Sequence, residues 1–362
     1  MDSSKISARQ LEILLMLYLI GSAIIVIPSS LASEAKQDAW IASLLSPAIG
    51  LLLLPIVIRL ANRFPGLALT DYIEIILGKR LGKIVSIWFL ATFPFLIAFY
   101  TLRDIGFFLT MQIMPETPVE AIHIAIFIVI IFGVRLGLES LARVAEILFP
   151  LIILLFALLF VFIIPQIKTT NILPVMEDGV KPVIRASFPY ISFPFFEIIN
   201  FLMLVPHVNR PEKAGRAMFT GIVLAGCLLF VTTLLTVLVF GGQLTSLLMY
   251  PSYELAKKIN IGNFLQRIEI IMAMIWFITI FFRLILLFYV SVVGFARVIR
   301  AADYRFLTIP LGGITVVMSL VVYRNIAHLL EFIPVWASFA YINGLLLPTL
   351  LLVVAVWRNK RG

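Results

Sequence analysis

Four ionisable side chains stand inside long apolar stretches of this sequence: Arg103, Asp104, Glu197 and Arg283. A charge inside a membrane is costly, so such residues usually pair with one another, bind a ligand or carry protons. Arg283 has the longest apolar run on either side, and a buried carboxylate would be its natural counter-ion. We expect Glu197 to be that partner, and a direct ligand role for either residue is the alternative.

Arg103 and Asp104 are neighbours, so on a helix their side chains point about 100° apart and do not face each other. Each therefore needs a partner elsewhere in the protein. The alternative is that both lie near the membrane surface and extend their charged ends to the lipid headgroups. Tyr100, one turn earlier, could add a hydrogen bond.

Helix-breaking residues occur in two of the apolar stretches. The first contains Gly-Ser-Ala at 21–23 and then Pro28, and the later one contains Pro189 and Pro194. Each proline removes a backbone hydrogen bond and clashes with the preceding turn, and in hydrocarbon the freed backbone groups need partners. We predict an interruption in both helices, with kinked but continuous helices as the alternative.

Interrupted membrane helices at corresponding positions of two halves indicate a ligand site near the middle of the membrane. Their free N–H groups can hold a carboxylate, and their free carbonyls can hold an ammonium group or a cation. The alternative is close helix packing by the small residues and interfacial anchoring by the tyrosines. The candidate ligand-binding residues are Gly21, Ser22, Tyr100, Tyr190, Ser192, Phe193, Glu197 and Asn200.

The elements that would position these residues are membrane-spanning helices. Of the 362 residues 62% are apolar and only 13% are charged, about half the roughly 25% of a soluble domain. Runs of about 20 apolar residues can each cross a bilayer. We predict an all-α integral membrane protein with about ten such helices, at 11–33, 39–61, 84–111, 119–135, 141–164, 184–206, 214–240, 264–299, 306–323 and 330–356.

The predicted breaks fall in spans one and six, the spacing expected of two five-helix halves in inverted topology. We therefore expect one membrane domain over 1–362 with half-repeats at about 11–164 and 184–356. The third span would be one long helix, and Thr70 would cap a short surface helix that contains Glu74.

The net charge of +9 has a membrane explanation. Most of the loop lysines and arginines fall on the side of the chain ends, which predicts that both termini are cytoplasmic. We therefore expect a lipid bilayer, and no nucleic acid, as the surroundings of this chain. One cysteine, three scattered histidines and the lack of nucleotide-binding, metalloprotease or hydrolase motifs predict no metal site, no cofactor and no enzymatic activity.

Several segments in a fixed order carry a family resemblance. They are Lys-Ile-Ser-Ala-Arg-Gln at 5–10, Gly21-Ser22 with Pro28-Ser29, Leu-Ala-Asn-Arg-Phe-Pro-Gly at 60–66, Tyr72-Ile-Glu74 followed by Gly78, and Phe193-Pro-Phe-Phe-Glu197. With these, essentially the whole chain resembles the B subunits of spore germinant receptors. That family is a branch of the amino acid–polyamine–organocation transporter superfamily.

The resemblance implies the LeuT-like, amino acid permease-like transporter fold with broken helices one and six. It further implies residence in the inner membrane of an endospore. It also implies a complex with an A-type membrane subunit and a C-type lipoprotein, and a small germinant, often an L-amino acid. Gly21 and Ser22 match the loop that holds the ligand carboxylate in the superfamily, and Glu197 matches the family's glutamate of span six. The alternatives are a proton- or sodium-coupled amino acid transporter and a structural subunit with a vestigial pocket.

Overall fold

The computed structural model of the protein describes residues 5–259, 268–323 and 335–360. The first residues of the predicted eighth and tenth spans, at 264 and 330, lie outside these ranges. Within them the chain is almost entirely helical. Its α-helices are α1 Ala8–Ile20, α2 Ala23–Ala35, α3 Ala39–Arg63, α4 Leu69–Leu77, α5 Lys79–Thr92, α6 Pro94–Gln112, α7 Val119–Leu136, α8 Leu138–Ile163, α9 Val180–Ser192, α10 Ala214–Leu247, α11 Pro251–Lys257, α12 Glu269–Val298, α13 Thr308–Val321 and α14 Val335–Trp357.

The protein is a multi-pass membrane protein. Eight helical stretches in the described residues are long and apolar enough to cross a membrane, and one of them, Ala23–Arg63, runs through both α2 and α3. Helices α1 and α13 have 13 and 14 residues, so each is shorter than the roughly 20 residues that a straight helix needs to cross a bilayer. The count of ten spans therefore stays a prediction.

The first apolar stretch forms two helices that are separated at Gly21 and Ser22. A capping box starts α1, because the Ser7 hydroxyl accepts from the Gln10 N–H at 3.1 Å and the Gln10 side chain accepts from Ser7 N–H at 2.8 Å. Gly21 ends α1 with φ −2° and ψ −109°. Nearly every residue of α1 from Leu11 onward is buried, so this helix runs through the centre of the bundle.

The sixth stretch also changes its backbone geometry partway. Helix α9 ends at Ser192, and a 3-10 helix over Phe195–Met203 follows, in which all 9 residues are buried. Pro194 lies between them and has no N–H to donate, so the regular α-helical bonding pattern cannot continue through it. The segment that carries Glu197 is thus a tight turn-like helix in the middle of the protein.

The third stretch differs from the single helix that we predicted for 84–111. Its helical part begins earlier, at Lys79, and is divided at Phe93 into α5 and α6. Phe93 has φ −119° and ψ −84°, which is not helical. The reason is Pro94, which has no N–H to continue the hydrogen-bond ladder of α5 and is well suited to begin a new helix instead.

Helix α4 lies on the face of the protein that carries both chain ends. The predicted cap at Thr70 is wrong: the helix begins at Leu69, so Thr70 lies inside its first turn, and the Asp71 carboxylate accepts from the Ala68 N–H at 3.0 Å. Asp71 also pairs with Arg297 at 2.8 Å, and Glu74 pairs with Arg300 at 2.8 Å. These contacts fix α4 to the end of the central helix α12.

The opposite face is closed by a different set of contacts. The Asp38 carboxylate accepts from the Met176 N–H at 3.0 Å, and Asn171 donates to the carbonyl of Leu238 at 2.9 Å. These bonds tie the segment that follows α8 to the ends of α2 and α10. The cavities described below lie in the half of the bundle nearer to this face.

A close helix contact on this face gives a stability test. A Cβ on the buried Gly242 of α10 would overlap the backbone of Lys36 and Gln37, whereas a Cβ on Gly313 of α13 would meet nothing within 4 Å. We expect Gly242→Ala to cost about 1–3 kcal/mol through overpacking. Gly313→Ala should be neutral or slightly stabilising, because alanine favours helix. Thermal unfolding in detergent measures both, and equal melting temperatures would contradict this packing.

Candidate functional site

A buried ion pair joins the sixth stretch to α12. The Nη2 atom of Arg283 lies 2.8 Å from Oε1 and 2.7 Å from Oε2 of Glu197. Both side chains are 0% exposed. Since a charge in apolar surroundings is tolerated when it is paired and hydrogen-bonded, this contact explains how two ionisable groups remain buried in the interior of the protein. Sequence reasoning expected this partner for Arg283.

The guanidinium group of Arg283 also contacts two aromatic rings. Its Cζ atom is 4.8 Å from the ring centre of Tyr18 and 4.6 Å from that of Phe193. Such cation–π contacts stabilise a cation further when water is excluded. The Nη1 atom lies 3.4 Å from the Tyr18 carbonyl oxygen near the end of α1, where helical bonding stops. Arg283 therefore contacts both interrupted stretches.

Gly21 makes this approach possible. A Cβ added at Gly21 would lie 2.7 Å from Cδ and 3.0 Å from Cβ of Arg283. Only a residue without a side chain leaves room for the arginine stem to cross the break between α1 and α2. In this structure Gly21 thus contacts Arg283, and its neighbour Ser22 lies beside the cavity.

Tyr18 is a part of this site that sequence reasoning missed. Its hydroxyl donates to Oε2 of Glu197 at 2.6 Å and accepts from Nδ2 of Asn200 at 3.2 Å. The side chain is 1% exposed. The available signal was a tyrosine in the middle of an apolar span, three residues before the predicted break, rather than at a membrane interface where tyrosine is common.

A cavity of about 120 Å³ lies at the interruption, between α2, α6 and α9. Phe193 lines it and also stacks on Arg283, so its ring separates the cavity from the ion pair. The lining is mostly apolar, with hydroxyl groups and one carboxylate. Its residues are Ser22, Val26, Ile27, Ser30, Ile97, Tyr100, Thr101, Asp104, Pro189, Phe193 and Trp336.

A second cavity of about 280 Å³ adjoins the first on the side of the 246–250 segment. Both cavities are lined by Ser22, Val26 and Asp104, so these three residues stand between them. The Tyr323 hydroxyl donates to Oδ1 of Asp104 at 2.8 Å. The ring of Tyr100 in turn stacks on that of Tyr323, with the ring centres 5.8 Å apart.

Arg103 and Asp104 have separate surroundings, as their angle on a helix predicted. Arg103 is 8% exposed, and its guanidinium lies 4.4 Å from the ring centre of Phe107 and 5.7 Å from that of Tyr323. Asp104 instead faces the two cavities. Arg103 is thus buried among aromatic rings.

The structure distributes the predicted site residues over three places. Ser22, Tyr100 and Phe193 line the first cavity, whereas Glu197 and Asn200 belong to the ion-pair network. Two residues lie outside both. The ring of Tyr190 packs edge-on against Phe195 at 5.5 Å, and the Ser192 hydroxyl donates to the carbonyl of Pro189 at 2.7 Å.

Within the part of the chain that the structure describes, no group of three or more His, Cys, Asp or Glu residues could hold a metal ion.

The cavity offers a ligand an apolar wall, hydroxyl groups and the carboxylate of Asp104. These groups suit the binding of a small amphipathic molecule.

The buried ion pair predicts a large effect of removing one charge. We expect Glu197→Gln to destabilise the protein by about 3–5 kcal/mol, since it leaves the Arg283 cation buried without a counter-ion. Replacing both residues, as Glu197→Leu with Arg283→Met, should recover most of that loss. Thermal unfolding in lipid nanodiscs measures the three proteins.

The control is Glu139→Gln. Glu139 pairs with Arg143 one turn away, and their side chains are 42% and 69% exposed. Such a pair contributes at most about 1 kcal/mol. If Glu197→Gln and Glu139→Gln lowered the melting temperature equally, the central role of the buried pair would be wrong.

Solved structures with a similar fold are transporters. The chain aligns with MhsT in complex with L-phenylalanine at a TM-score of 0.68 and 15% identity, covering 100% of this chain and 91% of that one. It aligns with MHP1, a nucleobase-cation-symport-1 family transporter, at a TM-score of 0.69 and 12% identity, covering 94% and 75%. At these identities the likeness shows the fold alone, and it confirms the predicted LeuT-like fold class.

Relatives in sequence extend over the whole chain. Spore germination protein KB of Bacillus subtilis (strain 168) is 30% identical over 368 residues, covering 100% of this chain and 97% of that protein. Spore germination protein XB of Bacillus anthracis is 24% identical over 357 residues, covering 95% and 96%. Residues 5–327 also match the sequence family described as spore germination protein. The chain therefore belongs to this family of membrane-embedded, permease-like spore germination proteins.

Proposed function

We propose that the chain is the membrane subunit of a spore germinant receptor and that it binds a small germinant, an L-amino acid, in the cavity beside the α1–α2 interruption. The observation that carries this proposal is the cavity itself, which lies at the interruption between α1 and α2. The chain that contains it belongs to the spore germination family. The subunit resides in the spore inner membrane, with both termini in the cytoplasm, and acts with an A-type membrane subunit and a C-type lipoprotein.

The lining of the cavity supports an amino acid as the ligand. The N-terminal end of α2 starts at Ala23, and free N–H groups at such an end favour a carboxylate. The hydroxyls of Ser22, Ser30 and Thr101 offer further hydrogen bonds. The apolar remainder of the wall, such as Ile97, suits a modest apolar side chain.

Phe193 offers a way to transmit binding. Its ring lines the cavity on one side and stacks on Arg283 on the other, 4.6 Å from the guanidinium. A ligand that favours one position of this ring also favours one arrangement of Arg283 and of the helix α12 that carries it. The ligand must bind the two arrangements unequally, because otherwise it shifts no equilibrium. The far end of α12 pairs with α4 through Arg297 and Asp71, on the face where partner subunits would detect the change.

A pair of serines on α2 tests the location of the site. Ser30 lines the cavity, whereas Ser33, three residues on, is exposed and does not. We expect Ser30→Phe to fill the cavity and to weaken binding at least about 10-fold, the loss of roughly 1.4 kcal/mol. Ser33→Phe should leave the affinity unchanged. Binding of radiolabelled neutral L-amino acids to proteoliposomes measures both variants.

Equal binding by the wild type and Ser30→Phe would place the ligand elsewhere in the protein. Equal loss in Ser30→Phe and Ser33→Phe would show that the effect comes from the bulk of phenylalanine on α2 and not from the cavity. A thermal-unfolding measurement on each variant checks that the fold is retained.

A further inference from the structure

Asp104 is a carboxylate at the junction of two cavities. It lines the 120 Å³ and the 280 Å³ spaces together with Ser22 and Val26. Both spaces are several times the roughly 30 Å³ that one water molecule occupies in the liquid. A molecule with several non-hydrogen atoms can therefore reach this carboxylate from either side.

Asp104 forms no ion pair within the described part of the structure. Among the described residues that line the two cavities, it alone carries a formal charge. Two buried arginines make their closest contacts with other groups, because the guanidinium of Arg103 lies over the ring of Phe107 and that of Arg283 pairs with Glu197.

Aromatic rings line both of the cavities that meet at this carboxylate. The negative face of a ring attracts a cation, most strongly where water is excluded. Tyr323 also donates its hydroxyl to Oδ1 at 2.8 Å and so orients the carboxylate. The aromatic residues that line the two cavities are Tyr100, Phe107, Phe193, Tyr250, Trp276, Tyr323 and Trp336.

We propose that Asp104 binds the protonated amine of the germinant, so that the ligand class of this protein is small organic ammonium compounds such as amino acids. An unpaired carboxylate in apolar surroundings is costly, and a cationic ligand group that pairs with it removes that cost. Aromatic walls and a carboxylate together disfavour ligands that carry a carboxylate but no amine. This inference rests on the proposed function and assigns to it the group that recognises the ligand.

The test uses the full-length chain in proteoliposomes and radiolabelled L-alanine, L-valine, L-leucine and L-phenylalanine as probes. For the amino acid that binds most tightly, the competitors are its 2-hydroxy acid, in which a hydroxyl replaces the amine, and potassium chloride at constant ionic strength. The variants are Asp104→Asn, of nearly the same shape without the charge, and Asp178→Asn. Asp178 is a matched control because it is an exposed carboxylate outside both cavities that pairs with Lys36.

We expect Asp104→Asn to lower the affinity roughly 10- to 100-fold, the factor of one charge-assisted hydrogen bond, and Asp178→Asn to change nothing. The 2-hydroxy acid should compete at least about 10-fold more weakly than the amino acid for the wild type, and this difference should disappear in Asp104→Asn. If Asp104→Asn does not fold, the comparison of amine and hydroxyl on the wild type decides alone.

Equal affinities of the wild type and a folded Asp104→Asn would overturn the ammonium site and leave the proposed function intact. Equal competition by the 2-hydroxy acid would have the same consequence. Displacement of the amino acid by potassium at equal concentration would assign Asp104 to an inorganic cation and overturn the inference. Binding of no probe to the wild type would overturn both this inference and the proposed amino acid ligand.

Discussion

The structure depends on one buried contact, in which the guanidinium group of Arg283 meets the carboxylate of Glu197 at the level where two membrane stretches are interrupted. An interruption in hydrocarbon leaves backbone N–H and C=O groups without helical partners. Arg283 is the counter-ion of Glu197, and it also approaches the carbonyl of Tyr18 near the interruption. The rings of Tyr18 and Phe193 both pack against its guanidinium. The contact therefore supports an irregular backbone in the interior of the helix bundle.

This contact also arranges the candidate site. The stem of Arg283 fills the space that a side chain at position 21 would need, so this position suits glycine. The break at Gly21 places Ser22 beside the cavity. Phe193 then forms a wall with the ion pair on one side and the cavity on the other. A ligand in the cavity is thus one aromatic ring away from a helix that reaches the face of the chain ends. That geometry suits a subunit that reports binding to partners.

Much of this could be predicted from residue chemistry. A lone arginine in an apolar run needs a counter-ion, so the pairing of Arg283 with Glu197 could be expected from the sequence. Proline and glycine in a span interrupt its helical hydrogen bonds, so the break at Gly21 could be expected as well. The interruption at Phe93 was not predicted, although Pro94 was the signal, because proline is also common in continuous membrane helices.

The roles of Tyr18 and Asp104 depend on which way each helix faces. In a helix that is apolar on all sides, the sequence pattern does not show which face points into the protein. Sequence alone therefore could not predict that Tyr18 contacts Glu197 or that Asp104 faces two cavities. Likewise, Tyr190 and Ser192 belong to the same segment as Phe193, yet they point into packing contacts. These residues lie close to the break because they are close in sequence. The face of the helix on which each one lies determines whether its side chain reaches the cavity.

The central claim is that this transporter-like fold serves as a receptor. Its most direct test measures binding and uptake of a radiolabelled L-amino acid panel on the same proteoliposomes, with a proton or sodium gradient imposed across the membrane. The account predicts saturable binding that is equal with and without the gradient, and no accumulation in the lumen. Gradient-driven accumulation of the bound amino acid would contradict it and make the protein a coupled transporter.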